Sequence, residues 1–134
     1  MFFASNRPTN LGIRDGKLNP CSSKPNCCCS QYQDNSHYME PIKADASQGD
    51  AMEQLSLAVS SLPSATIITQ TDNYIHAECK SKLLGFVDDL EVLWEKDQQV
   101  FQVRSASRLG YSDMGINRRR VEKLRQLIHR PAKN

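Results

Sequence analysis

The stretch Phe86-Val-Asp-Asp-Leu-Glu-Val-Leu-Trp-Glu-Lys-Asp-Gln-Gln-Val-Phe-Gln-Val-Arg-Ser105 decides the fold. Apolar residues recur at every second position on both sides of Lys96-Asp97, the pattern of two half-buried strands joined by a tight turn. It predicts strands over 86–94 and 100–105. Upstream, the segments 66–71 and 74–80 flank a second turn signal, Asp72-Asn73. Before these strands, Met52, Leu55, Val59 and Leu62 recur at helical spacing. Asp50 caps that helix, Glu53 sits three residues on as in a capping box, and Pro63 stops it. After the strands, Val121, Leu124, Leu127 and Ile128 mark a last helix over about 117–130, with Asn117 as its cap and Pro131 beyond it. The order α-β-β-β-β-α with short links predicts an α+β two-layer sandwich: a four-stranded antiparallel sheet with both helices on one face. Residues 1–49 show no helical or strand period. They read as a long irregular arm packed on the 50–134 core within one domain.

Alternation sorts the side chains. Ile68, Ile75, Ala77, Phe86, Leu90, Val92, Trp94, Phe101 and Val103 fit the core face. Tyr74, His76, Glu78, Asp89, Glu91, Gln102 and Arg104 fall on the other. Counting back from a two-residue turn at Lys96-Asp97 places Asp89 opposite Arg104, as an ion pair across the hairpin. Asp88 has core parity, beside Ser105, and a buried carboxylate needs a partner. On the helical wheel Arg120 is the arginine best placed to reach it.

The chain has 134 residues, 39% hydrophobic and 24% charged, with a formal charge of +2. This suits one soluble globular domain. The weak charge, with basic residues spread along the chain, argues against a nucleic-acid partner. No apolar run approaches the roughly 20 residues of a membrane span. The expected compartment is the cytoplasm, unless a targeting segment precedes the chain. Of the five cysteines, Cys21 and Cys27 are the disulfide candidates, across the tight Ser-Ser-Lys-Pro-Asn loop. Cys79 has core parity and is expected to pack as a small hydrophobe.

Function points first to the arginines. Arg118, Arg119 and Arg120 open the last helix. Cations at that end oppose the helix dipole, each at a cost of roughly 0.3–1 kcal/mol, so they call for negative partners. Arg104, Arg108, Ser112, Asn117, Arg118 and Arg119 form a candidate site for a phosphate, sulfate or carboxylate. The alternative is structural, with Asp88, Asp89, Arg104 and Arg120 forming ion pairs. No nucleotide motif, zinc ribbon or catalytic signature is present. A metal set of Cys21, Cys27, Cys29 and His37 lacks the usual spacing, so no metal and no cofactor is expected. His76, Glu78, Asp89 and Glu91 share a face that suits either a hard cation, proton transfer or a plain polar sheet surface.

The chain resembles the family grouped as domain of unknown function 1499 (DUF1499), small uncharacterised bacterial and plastid proteins. The residues that carry the resemblance are Leu11-Gly12, Gly16-Lys-Leu18, Pro20-Cys21, Pro25-Asn26-Cys27 and Pro41 in the first half. Gly85-Phe-Val-Asp-Asp89, Glu91, Arg104-Ser-Ala-Ser-Arg108, Gly110, Ser112-Asp113, Gly115, Asn117 and Arg120-Val-Glu122 carry it in the second. Cys28 and Cys29 stand where the family pattern has Val and Ser. The resemblance implies no activity. The expected function is a binding module for an anionic small molecule or a partner protein at the arginine loop, rather than an enzyme. The alternatives are a small hydrolase using Asp89, His76 or Cys27 with a histidine, and an assembly factor whose arm and loop meet a partner.

Overall fold

The structure is a computed structural model, and it describes residues 6–34, 36–81, 85–110 and 112–129. Four short strands come first: β1 (Ile13–Arg14), β2 (Lys17–Leu18), β3 (Cys27–Cys29) and β4 (Ile42–Lys43). Helix α1 (Ala51–Ser60) leads into the meander β5 (Ala65–Gln70), β6 (Tyr74–Lys80), β7 (Val87–Glu95) and β8 (Val100–Ser107), and α2 (Ile116–His129) follows. The side chain of Asp50 accepts from the Glu53 amide at 2.9 Å, a cap contributing about 1 kcal/mol. Residue 130, the expected end of α2, lies outside the described residues.

The main sheet is antiparallel, but it has six strands rather than the expected four, in the order β3-β8-β7-β6-β5 with β4 also on β8. The two extra strands come from the arm, which is therefore not wholly irregular. Along the outer edge of β8, Cys27–Cys29 pairs with residues 104–106 and Ile42–Lys43 with residues 100–101. Segments of two or three residues are too short to show a period of two. Cys27, Cys28 and Cys29 are also all buried, so they offer no apolar/polar contrast.

Both helices pack on one face of the sheet. Leu55, Ala58 and Val59 of α1 and Val121, Leu124 and Ile128 of α2 share one core with Ile75, Ala77, Leu90, Val92, Phe101 and Val103. Cys28 and Cys79 belong to the same core. Trp94 packs on Phe101 across the hairpin, ring centroids 4.8 Å apart, at the partly exposed end of this layer.

Three expectations are corrected here. The β7–β8 turn spans residues 96–99, not two residues, since Glu95 pairs with Val100 and Gln99 adopts φ 55°. Every pairing moves by two positions. Asp89 therefore faces Ala106, Arg104 faces Glu91, and Asp88 faces Ser107. A shift of two keeps each side chain on its face, so the face assignments survive while the Asp89–Arg104 pair does not. Second, the β5–β6 register slips between Ile67 and Thr69, turning Ile68 outward at 37% exposure while Ile67 packs on the core. Phe86, just before β7, is also exposed. Third, Asn117 is inside α2 rather than its cap. Asp113 takes the capping role, accepting from the Gly115 and Asn117 amides at 2.8 and 3.1 Å.

Candidate functional site: the charged sheet face beneath the arm

The sheet face away from the helices carries Tyr74, His76 and Glu78 from β6, Asp89 and Glu91 from β7, and Gln102 and Arg104 from β8. An exposed polar surface would be the ordinary outcome. Instead Tyr74, His76, Asp89, Glu91, Gln102 and Arg104 are all buried. The arm covers them. Leu18 packs against Tyr74 and Leu93 as a second small core. The Gly12 amide, from a residue at φ 99°, donates to Glu91 Oε2 at 2.7 Å, and Tyr74 Oη donates to the same oxygen at 2.6 Å. Burial, with Glu91 beside it, pushes the Tyr74 hydroxyl pKa up, so it stays a donor.

Buried charges need partners, and most of these have them. Arg108, its side chain 6% exposed, donates to Asp89 Oδ2 and Oδ1 at 2.8 Å each and to Glu78 Oε2 at 2.6 Å. His76 Nε2 lies 2.7 Å from Asp89 Oδ1. Arg7, from the arm, donates to Glu78 Oε2 at 2.7 Å. Burial opposes ionisation of Asp89, but the bonds from Arg108 and His76 outweigh it and hold its carboxyl below the ordinary value. The Arg7 bond, then Arg108 against the cost of burial, lowers Glu78 likewise. An ionised carboxylate only accepts, so His76 Nε2 carries a hydrogen.

His76, Glu78 and Asp89 present ligand atoms within 4.8 Å of one another, a spacing a metal ion could use. The guanidinium of Arg108 already bonds both carboxylates. A cation would have to displace it, so this cluster is built around an internal cation and does not suit a metal.

Arg104 is the exception to the full pairing. Its residue is 4% exposed, and its one polar contact among the described residues is Glu91 Oε1, at a long 3.4 Å. Its Nε is buried with no hydrogen-bond partner. Such an orphan costs about 1–3 kcal/mol. Arg104 lines a cavity of about 210 Å³ together with Asn10, Ser22, Lys24, Asn26 and Arg108. Asp89, Cys27, Pro8, Ala106 and Ser107 complete its wall. Cys27 is bonded to Cys21, with Cα atoms 5.7 Å apart, and this disulfide closes the loop that carries Ser22 and Lys24. The Lys24 carbonyl meets His37 Nε2 at 2.9 Å, while Asp34 bonds His37 Nδ1 at 2.8 Å and raises the histidine pKa.

The expected arginine site does not assemble as one unit. Arg104 and Arg108 lie beneath the arm. Asn117 is fully buried on the helix face, bonded to Ser105, Ser107, Asp113 and the Asn26 carbonyl. Arg118 donates to the carbonyls of Ser36 and Tyr38 at 2.8 and 3.1 Å, and Arg119 to that of Met114 at 3.1 Å. Ser112 Oγ accepts from the Met114 amide. The partners that the junction arginines called for are backbone oxygens of the arm for Arg118 and of the loop before α2 for Arg119. Arg120 reaches inward to Asp88 at 2.7 Å.

Asn10, Ser22 and Lys24 were not among the residues expected at a site. Their signal is faint: Pro25-Asn26-Cys27 marks a tight loop, but nothing local shows that it folds over β7 and β8. The zinc set loses Cys21 and Cys27 to their mutual bond, and the thiol–imidazole pair loses Cys27 for the same reason. Cys28, Cys29 and Cys79 are buried thiols, and burial pushes Cys28 up to about 12. No helix among the described residues is long and apolar enough to cross a membrane.

A family model described as a protein of unknown function (DUF1499) matches residues 17–128. No curated protein and no solved structure matches the chain. The match takes in β2 through nearly all of α2, and so the cavity loop, the charged sheet face and the junction arginines alike.

Proposed function

We propose that this chain, which belongs to the DUF1499 family of proteins of unknown function, is a binding domain for a small anion held beneath its arm. The observation that carries this reading is Arg104: a nearly buried guanidinium with one long contact and an orphaned Nε, at the wall of a cavity that also holds Arg108 and Lys24. A guanidinium in that position is stabilised by an acceptor, and an anion in the cavity supplies one. Asn10, Ser22 and Asn26 add neutral polar groups. At about 210 Å³ the space falls below the roughly 300–1,000 Å³ of drug-sized pockets. It suits a phosphate- or carboxylate-sized group, not a nucleotide.

Charge balance points the same way. Arg7, Lys24, Arg104 and Arg108 surround Glu78, Asp89 and Glu91, leaving one cation in excess before His76 is considered.

The test is thermal. Phosphate or a small carboxylate at a hundred times its Kd is expected to stabilise the protein by about 2.7 kcal/mol. Lys24→Gln, at an exposed position, should weaken binding about tenfold or more, the size of one charged hydrogen bond. Arg104→Lys should do the same with the charge kept. Replacing Arg118 and Arg119 together with Gln should leave binding unchanged. A melting temperature that no anion moves would sink the proposal.

A further inference from the structure

We propose that the cavity selects an anion that brings its own hydrogen-bond donor, such as hydrogen phosphate, and that Asp89 is the selecting residue. The inference rests on the anion-binding reading above and narrows its ligand. Asp89 is 1% exposed, yet it lines the same cavity as the cations. A carboxylate in an anion site needs an account, because it repels most of what the cations attract.

The account lies in its hydrogen bonds. Oδ1 accepts from His76 Nε2 and Arg108 Nη2, and Oδ2 from Arg108 Nε. A carboxylate offers about four acceptor positions. One remains on Oδ2 among the described residues, and Asp89 borders the cavity in which a ligand would sit. Its partners keep Asp89 ionised at neutral pH against the cost of burial, so the position stays an acceptor.

Sulfate and simple carboxylates are acceptors only, throughout the neutral range. Set against Asp89, they leave two oxygen charges facing each other without a proton between them. Hydrogen phosphate places acceptors toward Arg104 and Lys24 and turns its one O–H to Asp89. Rejection by an unpaired buried group is the stronger form of discrimination, because the wrong ligand loses a bond and gains a repulsion.

The experiment is calorimetric titration of the full oxidised chain, at one pH and constant ionic strength, with phosphate, sulfate and monofluorophosphate. In the last, fluorine stands where hydrogen phosphate has its hydroxyl, at the same charge. Phosphate is expected to bind at least about tenfold more tightly than either, the size of one charge-assisted hydrogen bond. Asp89→Asn, which puts a donor in place of the acceptor, should remove the preference and let sulfate bind about as well as phosphate. Binding of all three anions to the unmutated chain within about threefold would overturn the inference and leave the anion site standing. Binding of none would overturn both. A folded Asp89→Asn that still prefers phosphate would take the selecting role from Asp89. If that variant fails to fold, the comparison of phosphate with monofluorophosphate decides alone.

Discussion

Arg120 is bonded at three points, to Ser105 Oγ at 3.1 Å, Asn117 Oδ1 at 2.7 Å and Asp88 Oδ2 at 2.7 Å. Its place in the first turns of α2 opposes the helix dipole, and Asp88 offsets that cost. Arg120→Gln strands Asp88, a residue 8% exposed, and should destabilise the protein by about 3 kcal/mol, the lower end for breaking a buried pair. Urea unfolding measures it; a loss under about 1 kcal/mol would mean that solvent reaches Asp88. Parity along β7 and the α2 wheel were enough to foresee this pair. They did not foresee the burial of Asp89, Glu91 and Arg104, because the residues that cover them come from the arm. Gly12 bonds Glu91 from 79 positions away, and no local pattern records such a contact.

The elements of the core were legible because each is long enough to express a period. β6 runs over the expected residues 74–80, and α1 starts at its expected cap. The errors fall where chain geometry has several solutions for one composition. A turn of two residues and a turn of four preserve the same alternation, and only cross-strand geometry separates them. The arm strands depend on β8 for their pairing and have no signature of their own. One element there has a direct test. The Cys21–Cys27 bridge closes a seven-residue loop carrying Ser22 and Lys24. Oxidised protein unfolded without reductant should show three free thiols, Cys28, Cys29 and Cys79, and five after reduction. Replacing Cys21 and Cys27 with Ser should cost about 2 kcal/mol by loop entropy and weaken phosphate binding, because Ser22 and Lys24 lose their tether. Five free thiols before reduction would remove the bridge.

Taken whole, the molecule has an apolar layer between sheet and helices and a charged layer between sheet and arm. The second makes stability depend on acid. Asp89 and Glu78 titrate below their ordinary values of 3.8 and 4.5 when folded. A lowered folded pKa gives stability that is present above the unfolded value and is lost as pH falls through the folded one. Melting temperature should therefore hold from neutral pH to about 5 and drop steeply below about 4. Arg7→Gln should soften the Glu78 part of that drop, since Arg7 is its first support. A flat profile down to pH 3 would mean that the charged layer contributes nothing. The same layering bears on the chain while it is being made. Cys27–Cys29 leaves the ribosome long before residues 104–106, the strand that will shelter it. Until then Cys21 meets three neighbouring thiols on equal terms, and Cys28 and Cys29 are withdrawn from that competition only when the far end of the protein arrives to cover them.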